Sequence, residues 1–342
     1  MATKVAINGF GRIGRLTFRQ IMESGDGLEV VAINDVADLE NLAYLLLHDS
    51  VYSSPDASIG VNDGMLSWDD RQIPFTRISD PEQLPWGEKG VETVIEASGA
   101  FTARTEAGRH LDAGAERVLV TAPSKGADIT ICMGVNEDKF DPSDHLVISN
   151  ASCTTNCLAP VAKVLDEEFG IVEGLLTTVH ALTSGQGIVD KPGKDWRRGR
   201  AGAHNIVPAT TGAAIATAET LPQLRGKVNG MAMRVPVLCG SVIDFVANTE
   251  RTVDEEKVNE AIRRRAAAEE MRGILGISEE PLVSSDIIGS TYSAVVDASS
   301  TMAINGHTVK VVAWYDNEWG YARRVVDAAG YISRRAQMRK AA

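Results

Sequence analysis

A glycine-rich turn near the start of the chain constrains its fold more than any other feature. Gly9, Gly11 and Gly14 form the pattern G-x-G-x-x-G directly after an apolar segment, residues 5–7, and before a segment with helical character. The first glycine permits a tight turn, the second lets the backbone approach a pyrophosphate, and the third lets helix and strand pack closely. The pattern therefore predicts a strand, a turn and a helix whose N-terminus binds a dinucleotide. A glycine turn that binds nothing is the alternative.

A single carboxylate after the second apolar segment bears on the choice of dinucleotide. Asp35 follows residues 28–33, at the place where an acidic side chain accepts hydrogen bonds from the ribose hydroxyls of an adenosine. The same carboxylate would repel a 2′-phosphate. We therefore expect NAD rather than NADP.

The order of apolar segments predicts two domains of different architecture. In the first half, short apolar segments alternate with helical ones at residues 5–7, 28–33, 91–97, 118–121, 129–135 and 146–149. This rhythm predicts a Rossmann-type doubly wound parallel sheet in the α/β class. The later segments are longer and have fewer helices between them, at residues 174–182, 230–237, 241–249 and 308–315. They predict a second, α+β domain with a mixed or antiparallel sheet.

Two further segments complete this organisation. Residues 184–208 are rich in Gly, Lys and Arg and show no periodicity, which predicts an extended loop. Residues 318–339 carry an apolar stripe at helical spacing, which predicts a final helix that docks on a sheet. We expect residues 1–152 and 318–342 to form the nucleotide-binding domain and residues 153–317 to form the catalytic domain.

Length, charge and cysteine content exclude several classes of protein. The 342 residues contain no run of about 18 apolar residues, which argues against a membrane-spanning helix. A net charge of −12 argues against a nucleic-acid-binding module, which would present a basic surface. The four cysteines are too few for a disulfide scaffold and lack the partners of a zinc site, so we expect no metal. The chain enters an apolar strand without a signal peptide, which predicts a cytoplasmic protein.

One cysteine and one histidine are the candidate reactive groups. Cys153 opens a predicted helix, where the helix dipole and unpaired N–H groups favour the thiolate, although a small buried residue is the alternative. His180 ends a predicted strand, and its unperturbed pKa of ~6.5 suits proton transfer. A thiolate and a base beside a dinucleotide predict aldehyde oxidation through a cysteine thioester. The other five histidines have no comparable polar context: His48, His110, His145, His204 and His307.

Five motifs, which occur in order along the chain, indicate a family. They are residues 8–15, 151–157, 194–198, 210–214 and 314–318. Together they resemble phosphorylating glyceraldehyde-3-phosphate dehydrogenase over essentially the whole chain. The resemblance implies that NAD and inorganic phosphate are used to oxidise glyceraldehyde 3-phosphate to 1,3-bisphosphoglycerate, in glycolysis or gluconeogenesis. It also implies a homotetramer, in which residues 184–208 reach a neighbour's cofactor.

The same resemblance assigns roles to individual residues. It makes Cys153 the nucleophile and His180 the base. The substrate phosphate is assigned to Thr183 and Arg234, and the inorganic phosphate to Ser152, Thr154, Arg198, Thr211 and Gly212. The cofactor contacts are Gly11, Arg12, Ile13, Asp35, Arg77 and Thr121, with Asn317 at the nicotinamide. Arginine suits bidentate phosphate binding, although each arginine could instead form a surface ion pair.

Three alternatives stay open. Erythrose-4-phosphate dehydrogenase is similar around Cys153 and His180, but Thr183 and the pair Thr211-Gly212 favour the three-carbon substrate. A non-catalytic protein on the same scaffold, such as an RNA-associated one, is disfavoured by the acidic charge and the complete catalytic set. Pro192 resembles the NAD-dependent type, whereas Lys191 beside it could approach a 2′-phosphate and permit NADP.

Overall fold

The computed structural model describes residues 2–193 and 195–341. Met1, Lys194 and Ala342 lie outside the described residues, and Lys194 is the first position of the motif at 194–198. The chain forms two compact units, one of Met1–Ala151 with Ala322–Ala342 and the other of Ser152–Tyr321. Each unit contains a sheet of its own.

The described residues of the first unit form nine strands. They are β1 (Thr3–Asn8), β2 (Leu28–Asn34), β3 (Ile59–Asn62), β4 (Met65–Trp68), β5 (Arg71–Thr76), β6 (Thr93–Glu96), β7 (Arg117–Val120), β8 (Ile129–Thr130) and β9 (Val147–Ser149). The helices are α1 (Arg12–Ser24), α2 (Leu39–Leu47), α3 (Arg104–Ala107) and α4 (Arg109–Asp112), with 3-10 turns at Pro81–Gln83 and Glu137–Lys139. The strand order is β3-β4-β5-β2-β1-β6-β7-β9-β8, and every pair from β5 onward is parallel. The expected Rossmann-type sheet is confirmed.

In this unit one feature was not predicted and one prediction was wrong. The hairpin of β3 and β4 and its antiparallel partner β5 were not predicted. Asp63-Gly64, both with positive φ, form the hairpin turn, and an Asp-Gly pair is a recognised sequence signal for one. The strand expected at 129–135 ends at Thr130, because the Asn136 side chain bonds both the Cys132 N–H and the Thr130 carbonyl and turns the chain.

The second unit begins with α5 (Cys153–Phe169) and continues with a mixed sheet. Its strands are β10 (Ile171–His180), β11 (Val207–Thr210), β12 (Val228–Arg234), β13 (Ser241–Thr249), β14 (Leu275–Ser278), β15 (Ala294–Asp297), β16 (Met302–Ile304) and β17 (Thr308–Tyr315). Its other helical elements are α6 (Ala213–Thr220), α7 (Glu255–Ala267) and the 3-10 turns Pro222–Leu224, Glu269–Met271, Ser284–Ile287 and Ala298–Ser300. The last two residues of the loop expected at 184–208 belong to β11. Strands β14, β15 and β16 were not predicted.

The pairing in this sheet decides which side chains meet. The order is β11-β12-β10-β13-β17-β15-β14, with β16 on β17. Pairs β10–β12 and β14–β15 are parallel and the others are antiparallel, so the expected mixed sheet is confirmed. Because β10 and β12 run in the same direction and in register, His180 lies directly opposite Arg234 where both strands end.

The last helix is α8 (Trp319–Ala341). The second unit ends within this helix at Tyr321, and the first unit resumes at Ala322. The predicted apolar stripe of α8 is buried, at Tyr321, Val325, Val326, Ala329 and Ile332. Within the described residues, no helix is both long enough and apolar enough to cross a bilayer. The same residues contain no group of three or more His, Cys, Asp or Glu side chains arranged to hold a metal ion.

Candidate active site

Cys153 is the first residue of α5, and the residue before it caps the helix. The Ser152 backbone is extended, and its Oγ accepts a hydrogen bond of 3.1 Å from the Thr155 N–H. The extended backbone and this hydrogen bond are typical of the N-cap residue of a helix. Cys153 is half-buried, whereas Cys132, Cys157 and Cys239 are buried, so Cys153 is the most accessible of the four thiols.

His180 is positioned to accept a proton from that thiol. Its Nδ1 lies 2.7 Å from the Ala181 carbonyl oxygen, which can only accept, so Nδ1 carries the ring proton. Nε2 therefore presents its lone pair, and it lies 3.4 Å from the Cys153 Sγ. Strand β10 and the backbone carbonyl thus fix both the position and the tautomer of the imidazole, as a general base requires.

The charges of this pair differ from the sequence-based expectation. Burial raises the pKa of the Cys153 thiol, and Arg234 and hydrogen bonds at the helix start lower it by less. Burial also lowers the pKa of His180 to about 3, and Arg234 acts in the same direction. The helix start alone therefore does not produce a thiolate, and His180 alone does not titrate near 6.5. Without a ligand, a neutral thiol faces a neutral imidazole.

Proton transfer within the pair changes this balance. Moving the thiol proton to Nε2 creates a thiolate and an imidazolium together, and their attraction at 3.4 Å offsets part of the cost of burying the two charges. Arg234 also stabilises the thiolate. The protonation states of the two groups are therefore coupled, and the geometry allows a proton to pass from the thiol to the imidazole.

Two arginines bring positive charge to this pair. Arg234 ends β12, and its Nη1 lies 3.4 Å from the Ala181 carbonyl oxygen. Among the described residues its guanidinium forms no ion pair, and burial lowers its pKa. A half-buried arginine without a carboxylate partner is a strong indication of an anion site, because an unpaired buried charge is costly. The surface ion pair proposed as the alternative for Arg234 is therefore wrong.

Arg198 is held differently. Its Nη2 donates to the Thr210 carbonyl oxygen at 3.1 Å, and its Nε lies 3.4 Å from Asp195 Oδ2. The ion-pair alternative thus describes Arg198 in part. The hydrogen bond to Thr210 places Arg198 beside the next two residues, Thr211 and Gly212, which lead into α6. Its charge also contributes to lowering the pKa of His180.

Hydroxyl groups line the same region. Thr154 Oγ1 lies 2.9 Å from the Tyr315 hydroxyl, which is 2.8 Å from Thr178 Oγ1. The Tyr315 ring meets the His180 ring edge-on, with centroids 6.0 Å apart. Sequence reasoning missed Tyr315 and Thr178, although Tyr315 belongs to the motif at 314–318. Thr183, the last assigned phosphate residue, lies just beyond β10, where its N–H donates to Gln186 Oε1 at 3.1 Å.

In the first unit, the glycine turn has the geometry that its pattern predicts. Gly9 has φ +92°, and a Cβ there would lie 2.3 Å from the Ser98 nitrogen. A Cβ on Gly14 would lie 2.0 Å from the Gly9 carbonyl oxygen, so helix and turn pack as closely as glycine allows. At Gly11 a Cβ would meet nothing within 4 Å, and no side chain caps α1 there. The space and the uncapped helix start fit the pyrophosphate of a dinucleotide.

Two of the remaining cofactor candidates, Asp35 and Arg12, lie at this turn. Asp35 holds it directly, because Oδ2 accepts from the Phe10 N–H at 2.6 Å while Oδ1 accepts from the Ala37 N–H at 2.8 Å. Arg12 pairs with Asp49, so of its groups the backbone rather than the guanidinium is suited to a phosphate.

Four further candidates lie at separate positions. Ile13 follows Arg12 in the first turn of α1. Arg77 donates from Nε to the Val36 carbonyl oxygen at 2.7 Å, and Thr121 donates from Oγ1 to the Glu96 carbonyl oxygen at 3.1 Å. Asn317 belongs to the second unit, where its Oδ1 accepts from the Ser241 hydroxyl at 2.9 Å.

The prediction that the other five histidines have no polar context comparable to that of His180 was wrong for His110. This residue is fully buried, and its Nδ1 accepts from Trp86 Nε1 at 3.0 Å. The proton must then be on Nε2, which donates to the buried Glu96 carboxylate at 2.9 Å. Glu96 also accepts from Asn8 Nδ2 at 2.5 Å, directly before the glycine turn. A lone histidine in a helical segment gives no sequence signal for such a network.

Comparisons with known proteins agree with this geometry. Two family models match the chain: "Glyceraldehyde 3-phosphate dehydrogenase, NAD binding domain" at residues 3–104 and "Glyceraldehyde 3-phosphate dehydrogenase, C-terminal domain" at residues 152–317. The chain is 58% identical to the glyceraldehyde-3-phosphate dehydrogenase of Geobacillus stearothermophilus over 97% of its own length and 99% of the relative's. The proteins of the same name from Priestia megaterium and Streptomyces coelicolor are 53% and 51% identical, over the same shares of each chain. The chain therefore belongs to the glyceraldehyde-3-phosphate dehydrogenase family.

Proposed function

We propose that the protein oxidises glyceraldehyde 3-phosphate with NAD and inorganic phosphate to 1,3-bisphosphoglycerate, through a thioester on Cys153. The observation that carries this proposal is the Cys153–His180 pair, in which an unprotonated Nε2 lies 3.4 Å from the thiol and an arginine without an ion pair lies beside it. The first unit binds NAD and the second performs the chemistry. The NAD binding domain model matches residues of the first unit, and the C-terminal domain model matches residues of the second.

The chain's own residues support each covalent step. Nε2 of His180 takes the thiol proton, and the Cys153 thiolate adds to the aldehyde carbon. The imidazolium returns that proton to the resulting alkoxide, which forms a hemithioacetal and frees Nε2 again. The imidazole then removes the hemithioacetal's hydroxyl proton as its hydride departs, which leaves a thioester on Sγ. Bound NAD supplies the hydride acceptor. Attack by inorganic phosphate on the thioester carbon forms the acyl phosphate and returns the thiolate.

Two anions must be bound for this sequence, one on the substrate and one as the second reactant. Arg234 and Thr183 hold the substrate phosphate in this proposal. Ser152, Thr154, Arg198, Thr211 and Gly212 hold the inorganic phosphate. The difference between the arginines supports two sites, because Arg234 forms no ion pair among the described residues whereas Arg198 is anchored to Thr210 and Asp195.

We expect Arg234→Leu and Arg198→Leu to impair different ligands. The first change should chiefly raise the KM for the phosphorylated aldehyde, and the second should raise the KM for phosphate and let the thioester accumulate. Thr211→Ala should act like the Arg198 change. A charge-assisted hydrogen bond contributes roughly 1.5 to 3 kcal/mol, which corresponds to a roughly 10- to 100-fold change in apparent affinity.

Steady-state kinetics with each ligand varied in turn would measure these effects. Arg200→Leu is the matched control, because Arg200 lies in the same loop and pairs with Asp190 on an exposed surface. Identical losses for both ligands in both variants would refute the separate assignment.

Cofactor choice gives a second expected result. Asp35→Gly should weaken NAD and partly relieve discrimination against NADP, since the carboxylate binds the ribose diol and repels a 2′-phosphate. Asp35 also holds Phe10 and Ala37, so this change loosens the glycine turn as well. Asp35→Asn separates the effects, because it removes the charge and keeps an acceptor oxygen. We would measure kcat/KM for both cofactors. A wild-type preference for NADP would mean that Lys191 outweighs the carboxylate.

We infer further that the protein assembles as a homotetramer and acts in the cytoplasm. One face of the second unit's sheet exposes Leu175, which is 67% exposed, together with its neighbour Val246. Trp196 in the loop is 88% exposed. Large apolar side chains on a sheet face and a loop suit contact with other copies. The four free thiols suit a reducing compartment. Sedimentation analysis would test the tetramer.

A spectrophotometric assay tests the function as a whole. Glyceraldehyde 3-phosphate should reduce NAD rapidly with phosphate present, and only to a stoichiometric extent without it. Erythrose 4-phosphate serves as the competing substrate and should give a lower kcat/KM. Turnover that does not depend on phosphate, or a preference for erythrose 4-phosphate, would contradict the proposal.

A further inference from the structure

One buried hydroxyl connects the base to the residue assigned to the nicotinamide. Ser241, the first residue of β13, is 1% exposed. Its Oγ accepts from the Ala181 N–H at 3.1 Å and donates to Asn317 Oδ1 at 2.9 Å. The carbonyl of the same Ala181 accepts from His180 Nδ1 at 2.7 Å. A chain of short polar contacts thus runs from His180 through Ser241 to Asn317.

The hydrogen-bond inventory fixes the orientation of the Asn317 amide. Because Ser241 Oγ already accepts from a backbone N–H, its one proton must be donated, and Asn317 Oδ1 is its acceptor. If the amide were reversed, this buried hydroxyl proton would have no acceptor among the described residues, which is costly. Nδ2 of Asn317 makes no hydrogen bond to any residue that the structure describes. It is the donor left to a ligand.

We propose that Ser241 is a positioning residue for the reaction: it turns the Asn317 amide so that Nδ2 can donate to the carboxamide oxygen of the nicotinamide, and it anchors the N–H of Ala181, the residue whose carbonyl orients His180. This proposal rests on the proposed function. One hydroxyl then sets the geometry of both the cofactor's reactive end and the base. Neither role could be assigned from the sequence, because Ser241 opens an ordinary strand pattern.

Measurement of NAD binding tests the first part of the proposal, that Ser241 orients the Asn317 amide. Ser241→Ala should weaken NAD roughly 2- to 10-fold, the effect of one neutral hydrogen bond, and leave ADP-ribose unchanged because that ligand lacks the nicotinamide. Calorimetry with both ligands on the whole enzyme would measure this. Thr301→Val is the matched control, since it removes a buried hydroxyl that donates to Asn259 Oδ1 at 2.8 Å, and it should change neither ligand.

A double-mutant cycle distinguishes positioning from general damage. If Ser241 acts through Asn317, Ser241→Ala should have no further effect on NAD in an Asn317→Ala background. Should the alanine variant fail to fold, Ser241→Cys keeps the size with a weaker donor and serves in its place. Three results would overturn the claim that Ser241 orients the Asn317 amide. They are equal losses of affinity for NAD and ADP-ribose, additive effects of the two substitutions in the cycle, and an unchanged NAD affinity in Ser241→Ala. Wild-type enzyme that bound NAD no more tightly than ADP-ribose would instead contradict the assignment of Asn317.

Alkylation of the Cys153 thiol without cofactor tests the second part of the proposal, that Ser241 positions His180. Ser241→Ala removes the hydrogen bond that Ser241 Oγ accepts from the Ala181 N–H. The imidazole of His180 is then less firmly positioned, so we expect the pH profile of Cys153 alkylation by iodoacetamide to shift to higher pH. Thr301→Val should keep the wild-type profile. An unchanged profile in Ser241→Ala would overturn the claim that Ser241 positions His180.

Discussion

Replacing Cys153 with serine should abolish dehydrogenase activity and leave NAD binding intact. A serine hydroxyl is far less ionised than a thiol near neutral pH, so no nucleophile forms beside His180 Nε2. The glycine turn that we propose binds the dinucleotide belongs to the first unit and does not include this side chain. Turnover measured by NAD reduction, with calorimetry for NAD, would check both statements.

Cys157→Ser is the matched control for that change. Cys157 is one turn further along α5 and fully buried, with its Sγ 3.8 Å from the Ala313 carbonyl oxygen. Burial raises its pKa well above the ordinary value, so it is unsuited to act as the nucleophile. Because Cys157 is buried and Cys153 remains in place, we expect a mild effect on turnover. Retained turnover in Cys153→Ser, or loss of thioester formation in Cys157→Ser, would show that the wrong sulfur had been chosen.

Removal of the base should have the second-largest effect. His180→Asn should lower kcat about 10²- to 10⁴-fold, the usual loss on removing a general base. The variant keeps a polar side chain at the end of β10 but has no nitrogen that can take the thiol proton. Pre-steady-state measurement of NAD reduction would place the loss in the chemical step.

The pH dependence of the same variant follows from the directions of the two pKa shifts. Burial raises the thiol pKa, so a thiol without its base is ionised only above the ordinary cysteine range. In the wild type the imidazole, whose own pKa is lowered to about 3, is unprotonated near neutrality and can take the thiol proton. Alkylation of Cys153 should therefore begin at lower pH in the wild type than in His180→Asn. Coincident profiles with retained rate would mean that another group is the base.

Much of the fold and site followed from local sequence patterns. The spacing of Gly9, Gly11 and Gly14 predicts the turn because each position has its own steric requirement, and two of the three are filled to contact by backbone atoms. Cys153 at a helix start and His180 at a strand end were both located by the same kind of local reasoning.

The rest depends on pairings between distant segments. The parallel register of β10 and β12 sets Arg234 opposite His180, and nothing in either strand's own sequence specifies that register. The same applies to Ser241 and Asn317, whose contact depends on where β13 and the end of β17 meet. The thiol's raised pKa could not be predicted either, because burial, the largest influence on it, is a property of the folded unit.

The central claim, a thioester on Cys153, is tested most directly by a single turnover without phosphate. Enzyme mixed with NAD and excess glyceraldehyde 3-phosphate should release one reduced NAD per active site and then stop. Intact and peptide mass spectrometry should find one phosphoglyceryl group on Cys153, and added phosphate should remove it. Continued turnover without phosphate, no acyl adduct, or an adduct on another residue would contradict the account.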